Sequence, residues 1–169
     1  MQKKIVILAV AAVLQALVVS PAHAQAIPYS EAIDKDVVDI AVGSKDHTTL
    51  VTALKAADYV VSLKNPGPFT VFAPTNAAFD KLPPGTVESL LKPENKEKLT
   101  NILKYHVTVS TYKVQDLKDG MKLGMANGKS AAVSNKDGKV TINNANIVAS
   151  IRVSNGIVHV VDAVLLPPS

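Results

Sequence analysis

The 169-residue sequence has no cysteine and no tryptophan, 4% aromatic residues and a single arginine, Arg152. The missing cysteines exclude a disulfide scaffold, cysteine-ligated zinc, thiol catalysis and thiol-linked lipid. One arginine cannot supply the forked phosphate and base contacts of a nucleic-acid surface. Charge of one sign is scarce as well: the formal net charge is +4, and two of those charges sit on Lys3 and Lys4. The later lysines, such as Lys45, Lys55, Lys64, Lys81 and Lys92, are interspersed with acids, the pattern of a solvated surface. There is no Asn-x-Ser/Thr sequon, which excludes N-glycosylation at that motif.

A long apolar run occurs once. Ile5–Leu14 is unbroken, Gln15 interrupts it and Ala16–Val19 resumes it, short of the roughly 20 residues that a membrane span needs. With Lys3 and Lys4 before it and Ala22-His23-Ala24 behind it, the run reads as a secretory signal cleaved between Ala24 and Gln25. Residues 1–24 are therefore the expected signal peptide, 25–35 a lead segment and 36–168 a single globular domain. The mature chain is expected to be secreted or periplasmic, monomeric and without a membrane span.

Within the domain the hydrophobic period changes once. Ser30 is placed to cap a helix through Val42, with Gly43 stopping it. Leu50, Ala53, Leu54 and Ala57 share one helical face. The breaker cluster Asn65-Pro66-Gly67-Pro68 leads into a strand, Phe69–Ala73, which Pro74 closes. Thr75 or Asn76 caps a short helix carrying Ala78, Phe79 and Leu82, and Thr86 caps another with Val87, Leu90 and Leu91 facing inward. Pro93 opens a last helix, on which Leu99, Ile102, Leu103 and His106 fall on one side. Thereafter the period is two. Asp137-Gly138 turns a hairpin joining Ala131–Ser134 to Val140–Asn143. Further strands are expected at Met121–Met125, Ile147–Val153 and Ile157–Val161, with Asn155-Gly156 turning the last pair. Helices first and sheet later make an α+β fold.

Three ordered blocks make the pattern specific. Gly67-Pro68-Phe69-Thr70-Val71-Phe72-Ala73-Pro74-Thr75-Asn76, with Ala78-Phe79 and Leu82-Pro83 behind it, resembles the first signature of fasciclin-type (FAS1) domains. Leu103-Lys104-Tyr105-His106-Val107 is similar to the central Tyr-His motif of that family, and Asn155–Asp162 with Leu165-Leu166-Pro167 to its second signature. The resemblance implies a wedge of about seven mostly antiparallel strands flanked by helices, and an extracellular role in cell adhesion or cell-surface protein interaction. Animal members carry an Asp-Ile pair associated with integrin recognition; the corresponding Ser150-Ile151 here has no carboxylate.

For Tyr105, His106, Val107 and Tyr112 the resemblance implies contact with an extracellular protein or cell-surface component. The helical phase instead turns His106 inward, where its ring nitrogens would bond to backbone or a hydroxyl. Phe69, Phe72, Pro74, Thr75, Asn76, Phe79, Asn155, Gly156, His159 and Asp162 read as structural members of the motifs. No catalytic site, metal or cofactor is expected. His47, His106 and His159 lie in separate elements without ligand spacing. Gly128-Lys129-Ser130-Ala131-Ala132 lacks the final glycine of a nucleophile elbow. Asp34, Asp36 and Asp39 lack the glycine and glutamate of a calcium loop. The alternative reading is a carrier of an apolar molecule such as a carotenoid or lipid, walled by Tyr112, Ile147, Val148, Ile151 and Val153.

Overall fold

The computed structural model describes residues 27–168, and the expected signal peptide with its cleavage site lies outside them. Asp36 starts the first helix. Its carboxylate accepts the N–H groups of Val38 and Asp39 at 2.8 Å each, while Asp39 accepts the N–H of Asp36. This reciprocal cap sets helix α1 at Val37–Gly43. The helix expected from Ser30 through Val42 forms only from Val37. Tyr29–Ala32 is a strand, β1, which runs parallel to β7 (Ala145–Val153) from Tyr29↔Ser150 to Ala32↔Val153. A serine cap loses here to a backbone ladder that satisfies the extended chain along its length.

Helices α2 (Thr48–Ala56), α3 (Val60–Lys64) and α6 (Lys96–Lys104) turn Leu50, Ala53, Leu54, Leu63, Leu99, Ile102 and Leu103 inward. These are largely the positions that the 3.6-residue period marks. Thr75 Oγ1 accepts from Ala78 N–H at 3.2 Å and caps α4 (Asn76–Asp80). Helix α5 (Thr86–Leu90) has no side-chain cap: Gly85 precedes it at φ +80°, so Thr86 is the first helical residue rather than the cap. Pro93 opens a 3₁₀ turn, and α6 begins only at Lys96.

The sheet has eight strands in all. The order is β3 (Val107–Thr108), β2 (Phe69–Pro74), β8 (Gly156–Val161), β7, β6 (Lys139–Ile142), β5 (Ser130–Lys136), β4 (Lys122–Gly124), with β1 added on β7. Only β1–β7 and β2–β8 are parallel. The sequence reading places neither β1 nor β3. A tight turn that the sequence reading missed, Asn143-Asn144 with both φ values positive, joins β6 to β7.

Alternation along β2, β7 and β8 sends side chains to two cores. One face contributes Val71, Ala73, Val153 and Val158 to a cluster with α1, α2, α3 and α6. The other contributes Phe72, Ala145, Ile147 and Val161 to a cluster that includes Leu123, Val133 and Val140 from β4, β5 and β6. Strands from opposite ends of the sheet meet in that second cluster, so the sheet curls into a nearly closed barrel.

The β7–β8 turn is Ser154-Asn155, one residue earlier than expected, and Gly156 opens β8. Glycine is required there by proximity. A Cβ on residue 156 would stand 1.9 Å from the Phe69 carbonyl oxygen. Gly156→Ala is expected to destabilise the domain by more than about 3 kcal/mol, because a backbone atom must move to admit the methyl. Urea denaturation of the purified variant checks this; an unchanged midpoint would mean that β2 and β8 can separate without cost.

Candidate interaction site

The Tyr-His segment lies where α6 hands over to β3, and it is enclosed. Tyr105, His106 and Val107 are 1%, 3% and 2% exposed. Tyr105 Oη donates to Ser130 O at 2.9 Å and accepts from Asn143 Nδ2 at 2.6 Å, tying α6 to the β5–β6 hairpin. His106 is satisfied on both sides. Nδ1–H donates to Ile102 O at 2.9 Å, and Nε2 accepts the N–H of Leu165 at 2.9 Å. That pattern fixes the tautomer and joins α6 to the C-terminal segment. Val107 packs in the helix-side core, while its carbonyl accepts from Ala126 N–H at 2.7 Å. The side chains of Tyr105, His106 and Val107 are therefore out of a partner's reach. Of the four residues given a contact role, Tyr112 alone keeps part of its surface.

The signature residues bond to backbone in the same way. Asn76 accepts Thr49 N–H at 3.0 Å and donates to Lys45 O at 3.0 Å, so it stitches α4 to the start of α2. Asn155 accepts Val37 N–H at 3.1 Å and donates to Leu63 O and Asn65 O at 2.8 and 3.2 Å. One amide thus reaches the start of α1 and the end of α3, and its own carbonyl accepts from Phe69 N–H at 3.0 Å. Asp162 accepts both N–H groups of Asn146, from backbone and side chain, at 2.8 and 2.7 Å. Burial acts to raise its pKa, but those bonds and the nearby Lys81 outweigh it and hold the carboxyl low. Phe69 and Phe79 pack half-buried against the helix-side core, and Pro74 is fully enclosed.

His159 is fully buried, with its ring stacked on Phe72 at a centroid distance of 5.5 Å and Nε2–H donating to Tyr112 O at 2.8 Å. Ser150, opposite it in the β7–β8 register, is 1% exposed. The position aligned with the animal Asp-Ile pair is thus internal. Burial pushes the pKa of His106 and of His159 down to about 4, and it also lowers that of His47.

The wall expected for an apolar ligand is divided by the sheet. Ile151 and Val153 face the helices, Ile147 and Tyr112 face the barrel interior, and Val148, at a register irregularity, is 44% exposed. The enclosed apolar cavity of the helix-side core, between Leu54, Val71 and Leu103, measures about 20 Å³. Space large enough for a ligand lies outside. An open cleft of about 700 Å³ at the β7–β8 turn is bordered by Asp36, Lys64, Thr111, Lys113, Arg152 and Asn155. The sequence reading did not find it: residues 36, 64, 113 and 152 come from four separate segments, and no spacing links them. Among the described residues no group of three or more His, Asp or Glu is arranged to hold a metal.

A family model for the fasciclin domain matches residues 45–167. Protein sll1483 of Synechocystis sp. is 50% identical over 133 residues, covering 78% of this chain and 73% of that one. Uncharacterized protein sll1735 of the same organism is 42% identical over 131 residues, covering 78% and 97%. Among solved structures, a FAS1 domain pair from the insect cell adhesion molecule Fasciclin I superposes with a TM-score of 0.70 at 20% identity. That match covers 79% of this chain and 51% of the pair.

His106 and His159 make stability depend on acid. Each is held neutral in the fold at a pKa of about 4, below the ordinary value of 6.5. Their contribution is complete above pH 6.5 and is lost as pH falls toward about 4, by roughly 3 kcal/mol per ring at that end. His106→Ala is expected to cost about 3 kcal/mol at neutral pH, since Ile102 O and Leu165 N–H lose their partner. It should also flatten the stability profile between pH 6.5 and 4. Denaturation midpoints measured across that range check both, and an unaltered slope would contradict the buried neutral ring.

Proposed function

We propose that this chain, which belongs to the fasciclin domain family, acts outside the cytoplasm as a non-catalytic adhesion or cell-surface interaction module. The mature protein is secreted or periplasmic after cleavage between Ala24 and Gln25, and its partner is an extracellular protein or cell-surface component. The observation that carries this reading is where the motif's polar groups are spent. His106, Asn76, Asn155 and Asp162 all bond to backbone within the domain. A site whose histidine has both nitrogens committed offers no free base for chemistry, and the open surface is what remains to act. The structural neighbour is an insect cell adhesion molecule, which supports the same reading, as does the apolar run at the N-terminus. Among the described residues no helix is long and apolar enough to cross a membrane.

The carrier reading finds less support. A cavity of about 20 Å³ is far below the roughly 300–1,000 Å³ of a small-molecule site. Mature protein purified from its own host is expected to start at Gln25, to show no visible absorbance and to crosslink to a surface component on intact cells. A stoichiometric extractable apolar molecule, or a visible band, would overturn the adhesion reading in favour of a carrier.

A further inference from the structure

The cations around the cleft at the β7–β8 turn differ in how they are neutralised. Lys64 lies 4.0 Å from an Asp36 oxygen and 3.9 Å from an Asp39 oxygen. Arg152 and Lys113 are different. Among the described residues no carboxylate oxygen comes within 4.0 Å of either. Glu31 is the cross-strand neighbour of Arg152 on β1; its Oε1 accepts the Tyr29 hydroxyl at 3.1 Å, and Arg152 lies beside that same hydroxyl, so the acid stands near the guanidinium without pairing with it. Both cations are exposed. Together they border the 700 Å³ cleft and a second one of about 570 Å³, where Tyr29, Glu31 and Val114 join them. The two therefore form a positive ridge between adjoining hollows.

Arg152 sits on a strand paired on both edges, with β8 on one side and β1 on the other, so its backbone is fixed. A guanidinium in that setting presents a planar fork that matches a carboxylate with two parallel hydrogen bonds. The ridge is flanked by Asp36 in one hollow and Glu31 in the other. Those acids repel a densely charged polyanion and favour one with a single carboxylate per unit. The rest of the lining suits a ring bearing hydroxyls and C–H faces. Tyr29 is 50% exposed and offers a flat apolar side, and Thr111 offers a hydroxyl.

We propose that the Arg152–Lys113 ridge binds the carboxylated sugar units of an acidic polysaccharide, with Arg152 gripping the carboxylate and Tyr29 carrying the ring. This rests on the reading of the chain as a cell-surface interaction module and names the chemistry of its partner.

The test is isothermal titration of the mature chain with oligogalacturonate, with a neutral oligosaccharide of equal length and with poly-glutamate. Oligogalacturonate is expected to bind and the other two to fail. Arg152→Gln should weaken binding by about tenfold or more, and Lys113→Gln by less. Lys98→Gln on α6 should leave it unchanged. An unaltered melting temperature of Arg152→Gln shows that the loss is not one of folding. Absence of binding by the wild type, equal binding of poly-glutamate, or indifference to Arg152→Gln would each overturn the proposal. Crosslinking on cells separates the two levels. Equal capture of a partner by wild type and Arg152→Gln removes the ridge but keeps the surface module. Capture by neither removes the surface module, while the titration still reads the ridge.

Discussion

The architecture hangs on the approach of the β7–β8 turn to the start of β2. There the Asn155 carbonyl accepts from Phe69 N–H, while a Cβ on Gly67 would lie 2.1 Å from that same carbonyl oxygen. With the backbones this close, the Asn155 side chain comes within range of two helix ends at once. It supplies an acceptor to the start of α1 and donors to the end of α3. Helix termini carry backbone groups that no helix can satisfy internally. Spending one amide on two of them orients both helices against the sheet and shapes the helix-side core.

Much of this was legible in the sequence, for reasons that can be named. The buried faces of α2 and α6 follow from apolar spacing alone, as Leu50, Ala53 and Leu54 and then Leu99, Ile102 and Leu103 demonstrate. The Asp137-Gly138 hairpin follows from turn chemistry, with both residues at positive φ. Strand β1 was not legible. Tyr29–Ala32 has no alternating pattern of its own, because three of its four residues are exposed and it is held by pairing with β7. The cap at Asp36 was hidden among the acids Asp34, Asp36 and Asp39, and only geometry distinguishes the one that caps the helix from the one that closes the cap behind it.

The site divides along the same line. The inward phase of His106 was readable from i, i+3, i+4 spacing, but its second partner, Leu165 N–H, is 59 residues away. Tyr105 and Val107 are enclosed because the helix-to-strand handover packs against the barrel interior on one side and the helix-side core on the other. Motif residues hold the frame, and the exposed cleft is assembled by segments that the motifs do not mark. A shared frame is therefore compatible with different surface chemistry.

Both parallel pairings join the first half of the chain to its last quarter. Strand β2 pairs with β8 at a separation of 87 residues, as in Phe69↔Gly156, and β1 pairs with β7 at 121 residues, as in Tyr29↔Ser150. The β2–β8 pair cannot form until residues 156–161 are present. Long-range pairing of this kind slows folding, because loop closure must come before the contacts that reward it. Until β8 has been made, β2 lacks its parallel neighbour and the sheet stays incomplete. The sheet therefore closes late, when the segments that hold β1 and β2 meet the last hairpin of the domain.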